Sequence, residues 1–221
     1  MILIRIFFIL LCMLSLEACK EDEYAYPNVL TELTETETDS DGMLSQLTTD
    51  QGETFKVCEQ PADYKFKTDT LYRMLTVFEI MNEQTKQLKV YSARPVFSKV
   101  PQPESYFKGS IKTDPVDIQS IWRSGNYLNL ILNVQTKDKP HAFHFVDQGI
   151  HTCDTTASTT KTQVLEITFF HDRKQDYEAF TTKYCFSIPL RPYQNKMRKG
   201  DKIRLHINTY KEGETTREFN F

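Results

Sequence analysis

The sequence predicts an all-β protein in which a small closed barrel of five strands precedes a seven-stranded β-sandwich. Segments with apolar residues at helical spacing are scarce. Many short runs instead alternate apolar and polar residues, or are rich in Val, Ile, Thr, Tyr and Phe, which is the pattern of strands. Turn-forming residues separate these runs, and two closely spaced prolines divide them into a shorter and a longer unit.

The first unit, predicted at 26–98, contains five short strands. They are expected at 28–38, 43–49, 54–57, 71–81 and 87–94. Asp39-Ser40-Asp41-Gly42 is predicted to form the first turn, because Gly42 can adopt positive φ, and Asp50-Gln51-Gly52-Glu53 the second. Five strands within about 70 residues favour a closed barrel, since closure leaves no edge strand exposed.

Pro101-Gln102-Pro103-Glu104 lies in a predicted linker, 99–105, because proline lacks the amide donor that a central strand requires. The second unit, 106–221, contains seven predicted strands, at 116–122, 126–136, 141–146, 164–171, 184–190, 202–210 and 217–221. Seven short strands with turn-rich connections favour a β-sandwich. A short helical turn is expected at 176–181.

The first 18 residues have the composition of a secretion signal. Arg5 supplies an early positive charge, and an apolar stretch of about 11 residues follows. This stretch is too short for a transmembrane helix, which needs about 20 apolar residues. Leu16, Ala18 and Cys19 resemble the lipobox of bacterial lipoproteins. The resemblance implies that residues 1–18 are removed and that Cys19 is lipidated and holds the protein in a membrane.

The charged run Lys20-Glu21-Asp22-Glu23 lies in a predicted acidic tether, 19–25. It resembles the export signal of Bacteroidetes-type lipoproteins, which directs a lipoprotein to the outer face of the outer membrane. The expected location is therefore the outer membrane, with the protein facing the cell exterior. The alternative is a plain polar tether, because four consecutive charged residues must remain solvated in either case.

The cysteines do not form a disulfide scaffold. Cys12 is expected to be removed with the signal and Cys19 to be lipidated, which leaves Cys58, Cys153 and Cys185. An odd number allows at most one intramolecular disulfide. Cys153 and Cys185 both lie in the second unit and are the candidate pair.

Charge is distributed unevenly along the chain. Residues 20–53 contain ten acidic residues against Lys20 alone. Because this acidic segment opens the barrel, and because the protein is expected outside the cytoplasm, nucleic acid is not an expected partner. A later basic cluster either meets a polyanion such as an acidic glycan or forms a solvated turn. It comprises Arg191, Lys196, Arg198, Lys199, Lys202 and Arg204.

Two segments contain patterns of potential metal ligands. Glu37, Asp39 and Asp41-Gly42 match the start of an EF-hand calcium loop, but Thr48 stands where its bidentate glutamate belongs and the flanks read as strands. Carboxylates on a hairpin turn explain the same residues without an ion. No metal is expected at this segment.

His141-x-x-His144 and His151-x-Cys153 contain zinc-ligand residue types. Residues three apart on a strand point to opposite faces, so His141 and His144 are not expected to share an ion. No metal ion and no cofactor are predicted for the chain.

Catalytic motifs are missing from the sequence. It contains neither a Gly-x-Ser-x-Gly elbow nor a glycine-rich phosphate loop. A hydrolase with paired carboxylates brought together in space is the remaining enzymatic alternative. Trp122, Tyr127 and Tyr106 either stack on a sugar ligand or, for Trp122 in particular, pack in the core.

Several segments resemble the NigD-like family. Residues 26–31 (YPNVLT), Asp41-Gly42 and 47–52 (LTTDQG) are similar to its N-terminal domain, and 122–129 (WRSGNYLN) and 188–190 (IPL) to its C-terminal domain. The resemblance implies an N-terminal OB-type barrel followed by a β-sandwich, on a lipoprotein. The family takes its name from a bacteriocin gene cluster and has no established biochemical activity, so it implies no catalytic residues.

The expected function is therefore a surface-exposed, non-enzymatic lipoprotein that binds a glycan or a protein ligand of unknown identity. The first alternative is bacteriocin self-immunity or envelope protection, which only the family name suggests. The second alternative is a secreted hydrolase.

Overall fold

The computed structural model describes residues 27–153 and 162–221. The predicted signal, the lipidation residue Cys19 and the predicted export signal Lys20, Glu21, Asp22 and Glu23 lie outside the described residues. Within the described ranges, no helix is long and apolar enough to cross a membrane.

The first five strands close into a barrel, as the sequence predicts. They are β1 (Val29–Thr38), β2 (Leu44–Thr49), β3 (Thr54–Glu59), β4 (Leu71–Asn82) and β5 (Gln87–Pro95). Their order around the barrel is β1-β2-β3-β5-β4, and β4 pairs with β1 to close it. Only the pairing of β3 with β5 is parallel. The five-stranded OB-type barrel is confirmed.

The barrel interior combines apolar and hydroxyl side chains. Met74 and Phe78 on β4 are fully buried in its apolar core. Thr34 and Thr36 are inward positions of β1, and Thr34 shares hydrogen bonds with Thr36 (3.1 Å) and Thr76 (2.8 Å). Leu33, which alternates with these threonines, is buried on the opposite side of β1. That side faces the second domain.

The second domain is a β-sandwich whose strands are β6 (Gln102–Pro103), β7 (Asp117–Ser124), β8 (Tyr127–Thr136), β9 (Ala142–Cys153), β10 (Thr162–Asp172), β11 (Phe180–Pro189), β12 (Lys202–Thr209) and β13 (Gly213–Asn220). A five-stranded sheet, β13-β12-β10-β9-β6, packs on a three-stranded sheet, β11-β8-β7. All seven predicted strands are present, and β6 adds a short eighth at an edge, where Pro103 is tolerated.

The transition between the domains is abrupt. β5 of the barrel ends at Pro95, and Phe97 already packs against Phe143, Phe145 and Phe186 in the sandwich core. Val96 lies between them, and its amide donates to the carbonyl of Arg73 on β4 (2.9 Å). A single residue therefore separates a barrel strand from the core of the next domain.

The predicted helical turn at 176–181 is wrong. Lys174 and Gln175 both adopt positive φ (52° and 59°), and β11 already begins at Phe180. The carboxylate of Asp176 accepts hydrogen bonds from the amides of Lys137 and Asp138 in another loop (2.6 and 3.1 Å). These bonds hold residues 176–179 in an irregular, non-helical conformation. Short 3₁₀ turns occur instead at Glu104–Phe107 and Arg191–Tyr193.

The structure does not form the candidate disulfide between Cys153 and Cys185. Cys58, Cys153 and Cys185 are all free thiols. Cys153 ends β9 in the five-stranded sheet, whereas Cys185 lies on β11 in the three-stranded sheet. Its neighbours Tyr184 and Phe186 pack with the sandwich core, so strand alternation directs Cys185 away from that core and towards the barrel.

Candidate functional site

A buried ion pair lies where the two domains meet. Arg73 projects from β4, and Asp50 belongs to the turn between β2 and β3. The two guanidinium nitrogens of Arg73 donate to the two carboxylate oxygens of Asp50 at 2.7 and 2.9 Å. The side chain of Arg73 is 1% exposed and that of Asp50 is 13% exposed. This two-pronged geometry suits guanidinium and carboxylate groups and is strong for a hydrogen-bonded pair.

Polar side chains of the sandwich complete this network. Nε of Arg73 donates to Ser187 Oγ (3.3 Å), and Nη2 donates to Asn129 Oδ1 (3.2 Å). Ser124 donates its hydroxyl hydrogen to Asp50 and accepts a bond from the Asn129 amide (2.9 Å). Ser187 also donates to Asn129 Oδ1 (2.7 Å). The charge pairing and the hydrogen bonds of the neighbouring side chains offset the desolvation cost of burial, and the network connects one domain to the other.

Aromatic and acidic groups extend the interface. The guanidinium of Arg73 lies 4.0 Å from the ring centre of Tyr127. The Tyr127 hydroxyl donates to Glu35 (2.7 Å), which also accepts from Arg191 (2.6 Å). Burial, followed by the hydrogen bond to Glu35, raises the pKa of Tyr127 above its usual range. Tyr127 is therefore a neutral donor at physiological pH.

Gly125 is required at this interface. Its φ is +51°, and a Cβ at this position would lie 3.0 Å from Oδ1 of Asp50 and 3.2 Å from the main chain of Asp50. The turn between β7 and β8 can approach the turn between β2 and β3 only because it carries glycine. The segments 47–52 and 122–129, which carry part of the family resemblance, thus meet at the domain interface, whereas Ile188 and Leu190 pack in the sandwich core.

A cleft of about 610 Å³ opens beside the network, between the barrel and the three-stranded sheet. Its apolar wall includes Leu33 and Leu75 from the barrel and Trp122 and Ile131 from the sandwich. Its remaining lining residues are Thr31, Glu32, Asp50, Gln51, Arg94, Ser124, Lys183 and Cys185.

Two lining groups have shifted pKa values. Burial, reinforced by the negative charges of Asp50 and Glu53, raises the pKa of Glu32 above its usual range. Burial also raises the pKa of the Cys185 thiol, although Arg94 and Arg73 oppose this shift. Cys185 is therefore protonated at neutral pH and is a poor nucleophile.

Trp122 lies in the cleft and not in the sandwich core. The pairing of β7 with β8 shifts register between Ile118 and Ser120, so that Ile118 and Ile121 both pack against the core. Trp122 then points to the opposite side of the sheet. The interpretation of Trp122 as a core residue is therefore wrong. The bulge that turns its side chain away from the core leaves no signal in the sequence.

The three aromatic residues considered for sugar stacking do not form one platform. Trp122 lines the interdomain cleft. One face of Tyr127 is occupied by Arg73. Tyr106 lies in a different depression, where its ring is 5.3 Å from that of His144.

Two of the candidate metal ligands, Asp39 and His151, are engaged in other hydrogen bonds. Oδ1 of Asp39 accepts the amides of Asp41 and Met43 (both 2.9 Å), so the carboxylate stabilises the hairpin turn. His151 contacts the carbonyl of Gln148 at 3.0 Å. Across residues 27–153 and 162–221, no group of three His, Cys, Asp or Glu side chains is placed to hold a metal ion.

A buried chain of two histidines and an aspartate was missed by sequence reasoning. Nδ1 of His141 is 2.9 Å from Nε2 of His171, and Nε2 of His141 is 3.2 Å from Asp176. Nδ1 of His171 faces the carbonyl of Asp114 at 2.9 Å. That carbonyl requires an N–H at Nδ1 of His171, so Nε2 of a neutral His171 ring accepts from Nδ1 of His141.

The pKa directions agree with this proton assignment. Burial lowers the pKa of His171, which is consistent with a neutral ring. Burial would raise the pKa of Asp176, but hydrogen bonds from three backbone amides and from His141 hold it well below its usual value. The chain ends at a backbone carbonyl and contacts no nucleophile, so it connects loops at one end of the sandwich.

Three of the six residues of the predicted basic cluster lie beside carboxylates. Arg191 pairs with Glu35 of the barrel, and Arg204 pairs with Glu166 (2.7 Å) and Glu218 (3.2 Å). Lys202 also lies near Glu218 (3.7 Å). These pairs favour a solvated surface over a polyanion site.

A family model and solved structures are similar to this chain. A family model described as the NigD-like C-terminal beta sandwich domain matches residues 98–221. The crystal structure of a NigD-like immunity protein from Bacteroides caccae is 27% identical, with a TM-score of 0.69 over 90% of this chain and 99% of that chain. No curated protein matches the chain by sequence.

Two further crystal structures share the fold. A protein of unknown function from Bacteroides vulgatus is 14% identical, with a TM-score of 0.65 over 87% of this chain and 90% of that chain. A candidate lipoprotein from Bacteroides fragilis is 12% identical, with a TM-score of 0.54 over 88% of this chain and 97% of that chain. At these identities the similarity establishes the fold alone.

Proposed function

The chain belongs to the NigD-like family, and from this premise we propose that it is a lipid-anchored protein of the outer membrane that binds an external ligand in its interdomain cleft without catalysing a reaction. The observation that supports this function is the cleft itself. It combines an apolar wall, a few polar groups and a position between two domains, which is the usual setting of a ligand site.

The Arg73–Asp50 network supports the proposal because it holds both walls of the cleft. Arg73 and Asp50 come from the barrel, whereas Ser124, Asn129 and Ser187 come from the sandwich. Asp50 and Ser124 also line the cleft directly. A binding site supported by such a hydrogen-bonded frame is preorganised, which reduces the entropy lost on binding.

The arrangement of reactive groups favours binding over catalysis. The Cys185 thiol is protonated, and Ser124 and Ser187 donate to Asp50 and Asn129 and not to a histidine base. His141 and His171 are joined to a carboxylate and a backbone carbonyl. Within the described part of the chain, these groups form no nucleophile–base pair.

The binding site can be tested with a variant that fills the cleft. Thr31 is an exposed residue of the cleft, so Thr31→Trp should block the cleft without disturbing a buried contact. Ser92→Trp on β5, exposed and outside the cleft, is the matched control. A glycan array and pull-down experiments should give a ligand that wild type and Ser92→Trp bind and Thr31→Trp does not. Equal binding by both variants would remove the cleft as the site.

The anchor is supported by Leu16, Ala18 and Cys19 and by the run Lys20-Glu21-Asp22-Glu23. A candidate lipoprotein of the same fold is consistent with it. Palmitate labelling in a bacterium that processes lipoproteins should be lost in Cys19→Ala. Proteinase treatment of whole cells should digest the wild type, and should spare a variant with Ser at 21–23. Equal labelling of Cys19→Ala would contradict the anchor, and equal digestion would contradict the export signal.

A second candidate function is bacteriocin immunity, which the similarity to the NigD-like immunity protein of Bacteroides caccae favours. In this case the ligand would be a bacteriocin or its target. Deletion of the gene should then increase sensitivity to a bacteriocin encoded nearby, and Thr31→Trp should fail to restore resistance. Unchanged sensitivity after deletion would exclude immunity while leaving the binding function in place.

A further inference from the structure

The interdomain cleft carries two cations that have no counterion. Arg94 comes from β5 of the barrel and Lys183 from β11 of the sandwich. Neither side chain makes a hydrogen bond or an ion pair with any described residue, and both line the cleft. By contrast, Arg73 and Arg191, the other cations of this interface, are paired with Asp50 and Glu35.

The acidic groups of the cleft do not balance these two charges. Asp50 is neutralised by Arg73 and accepts the Ser124 hydroxyl. Glu32 forms no ion pair with any described residue. Burial, followed by repulsion from Asp50 and Glu53, raises its pKa, so it retains a proton more readily than an ordinary glutamate. The cleft therefore favours a negatively charged ligand group.

Part of the cleft lining is apolar, and both domains contribute to it. Leu33, Leu75, Trp122 and Ile131 form this part, and the indole N–H of Trp122 makes no hydrogen bond within the described residues. The volume of about 610 Å³ falls in the range of small-ligand sites, about 300–1,000 Å³. A ligand that fills it must combine apolar bulk with a negative end.

We infer that the cleft binds an apolar molecule that ends in a carboxylate, with its apolar part against Leu33, Leu75, Trp122 and Ile131 and its carboxylate between Arg94 and Lys183. The planar guanidinium of Arg94 suits two-pronged carboxylate binding, and Lys183 adds a point charge. This inference rests on the proposed function and adds the chemical class of the ligand. A fatty acid and the carboxyl end of an apolar peptide both present this chemistry.

Trp122 is the only tryptophan of the chain, so its fluorescence reports on the cleft directly. The protein is residues 19–221 with Cys19→Ala, which retains every described residue. It is titrated with laurate, with dodecanol as the neutral analogue and with dodecyltrimethylammonium as the cation. A peptide ending in Val-Leu, with a free or an amidated carboxyl end, distinguishes the peptide source from the fatty acid.

We expect laurate, the free-acid peptide, or both to change Trp122 emission saturably and to bind at least about tenfold more tightly than the neutral analogue. Arg94→Gln and Lys183→Gln should each remove about tenfold of that preference. Glu32→Gln should tighten carboxylate binding, because it removes the remaining acidic group. Arg123→Gln, an exposed neighbour of Trp122 outside the cleft, should bind as wild type does. Far-UV circular dichroism should show that all variants are folded.

The alternatives have distinct outcomes. If dodecanol binds as tightly as laurate and Arg94→Gln has no effect, the ligand class is wrong and the cleft remains an apolar binding site. If the cation binds most tightly, the assigned charge preference is also wrong. If none of the probes changes the emission, the ligand class is overturned, whereas the proposed function is overturned only by equal ligand capture in Thr31→Trp and Ser92→Trp.

Discussion

Replacing Arg73 with methionine tests whether the buried ion pair holds the two domains together. Methionine retains much of the apolar length of arginine but removes all four hydrogen bonds that its guanidinium donates, to Asp50, Ser187 and Asn129. The carboxylate of Asp50 then keeps only Ser124 as a side-chain partner. The penalty therefore comes chiefly from a buried charge that has lost its counterion.

The size of this penalty follows from the burial of the two groups. Removing one member of a buried pair typically costs about 3–5 kcal/mol. Because the Asp50 side chain is 13% exposed and water can reach it, we expect Arg73→Met to lose about 3 kcal/mol. Arg73→Lys keeps the charge but cannot form the two-pronged contact, so a loss of about 1–2 kcal/mol is expected.

Equilibrium unfolding in urea measures these changes. Trp122 fluorescence reports the interface, and far-UV circular dichroism reports the strands. Arg123→Met should change the free energy of unfolding by less than about 0.5 kcal/mol, because Arg123 is exposed. Arg73→Met combined with Asp50→Asn should cost less than the sum of the single changes, since both remove the same interaction. A loss below about 1 kcal/mol in Arg73→Met, or strict additivity in the double variant, would refute the assigned role.

Three further changes test other parts of the structure. In urea unfolding, Gly125→Ala should lower the free energy of unfolding by at least about 1 kcal/mol more than Gly109→Ala, because both glycines have positive φ but only a Cβ at 125 would meet Asp50. Equal losses would contradict the close approach of Gly125 to Asp50. Asp176→Asn should lower the Tm at pH 7, whereas the exposed control Asp138→Asn should not. The pKa of Asp176 is lowered in the folded protein, so its contribution to the stability of the fold is complete above the ordinary value of 3.8 and is lost as the pH falls through the folded pKa. The same difference in Tm between wild type and Asp176→Asn at pH 7 and at pH 2 would contradict this. Glu32→Gln should raise the Tm at pH 7 and leave it unchanged below the ordinary pKa of 4.5, because a raised folded pKa penalises the charged form only at higher pH; an equal gain at both pH values would argue for a packing effect.

The strands could be predicted because their signals are local. Alternation and turn residues such as Asp39 and Gly42 act over a few positions, and they were sufficient for the five strands of the barrel and for seven of the eight strands of the sandwich. The closed barrel followed from the need to cover strand edges. Even the edge position of Pro103 agrees with this reasoning.

The candidate site could not be predicted in the same way. Arg73 is a charged residue in a strand, which usually indicates an exposed position, and its partner Ser187 is 114 residues away in the sequence. Asp50 was recognised only as a turn residue. The bulge that turns Trp122 into the cleft depends on the pairing of two strands and not on a residue pattern. Long-range pairing of this kind becomes visible only when both domains are placed together.

The short passage from Pro95 through Val96 to Phe97 has a consequence for the rate at which the proposed ligand would bind. Hinge closure around a ligand requires a few residues whose φ and ψ can change freely. Here Val96 is bonded to Arg73, and Phe97 is packed in the sandwich core, so the barrel and the sandwich have no free hinge at this crossing. For the proposed ligand site, binding would then require no closure of one domain on the other. The association rate should depend on diffusion and charge attraction, and the selectivity on whether a ligand fits the cleft without domain movement.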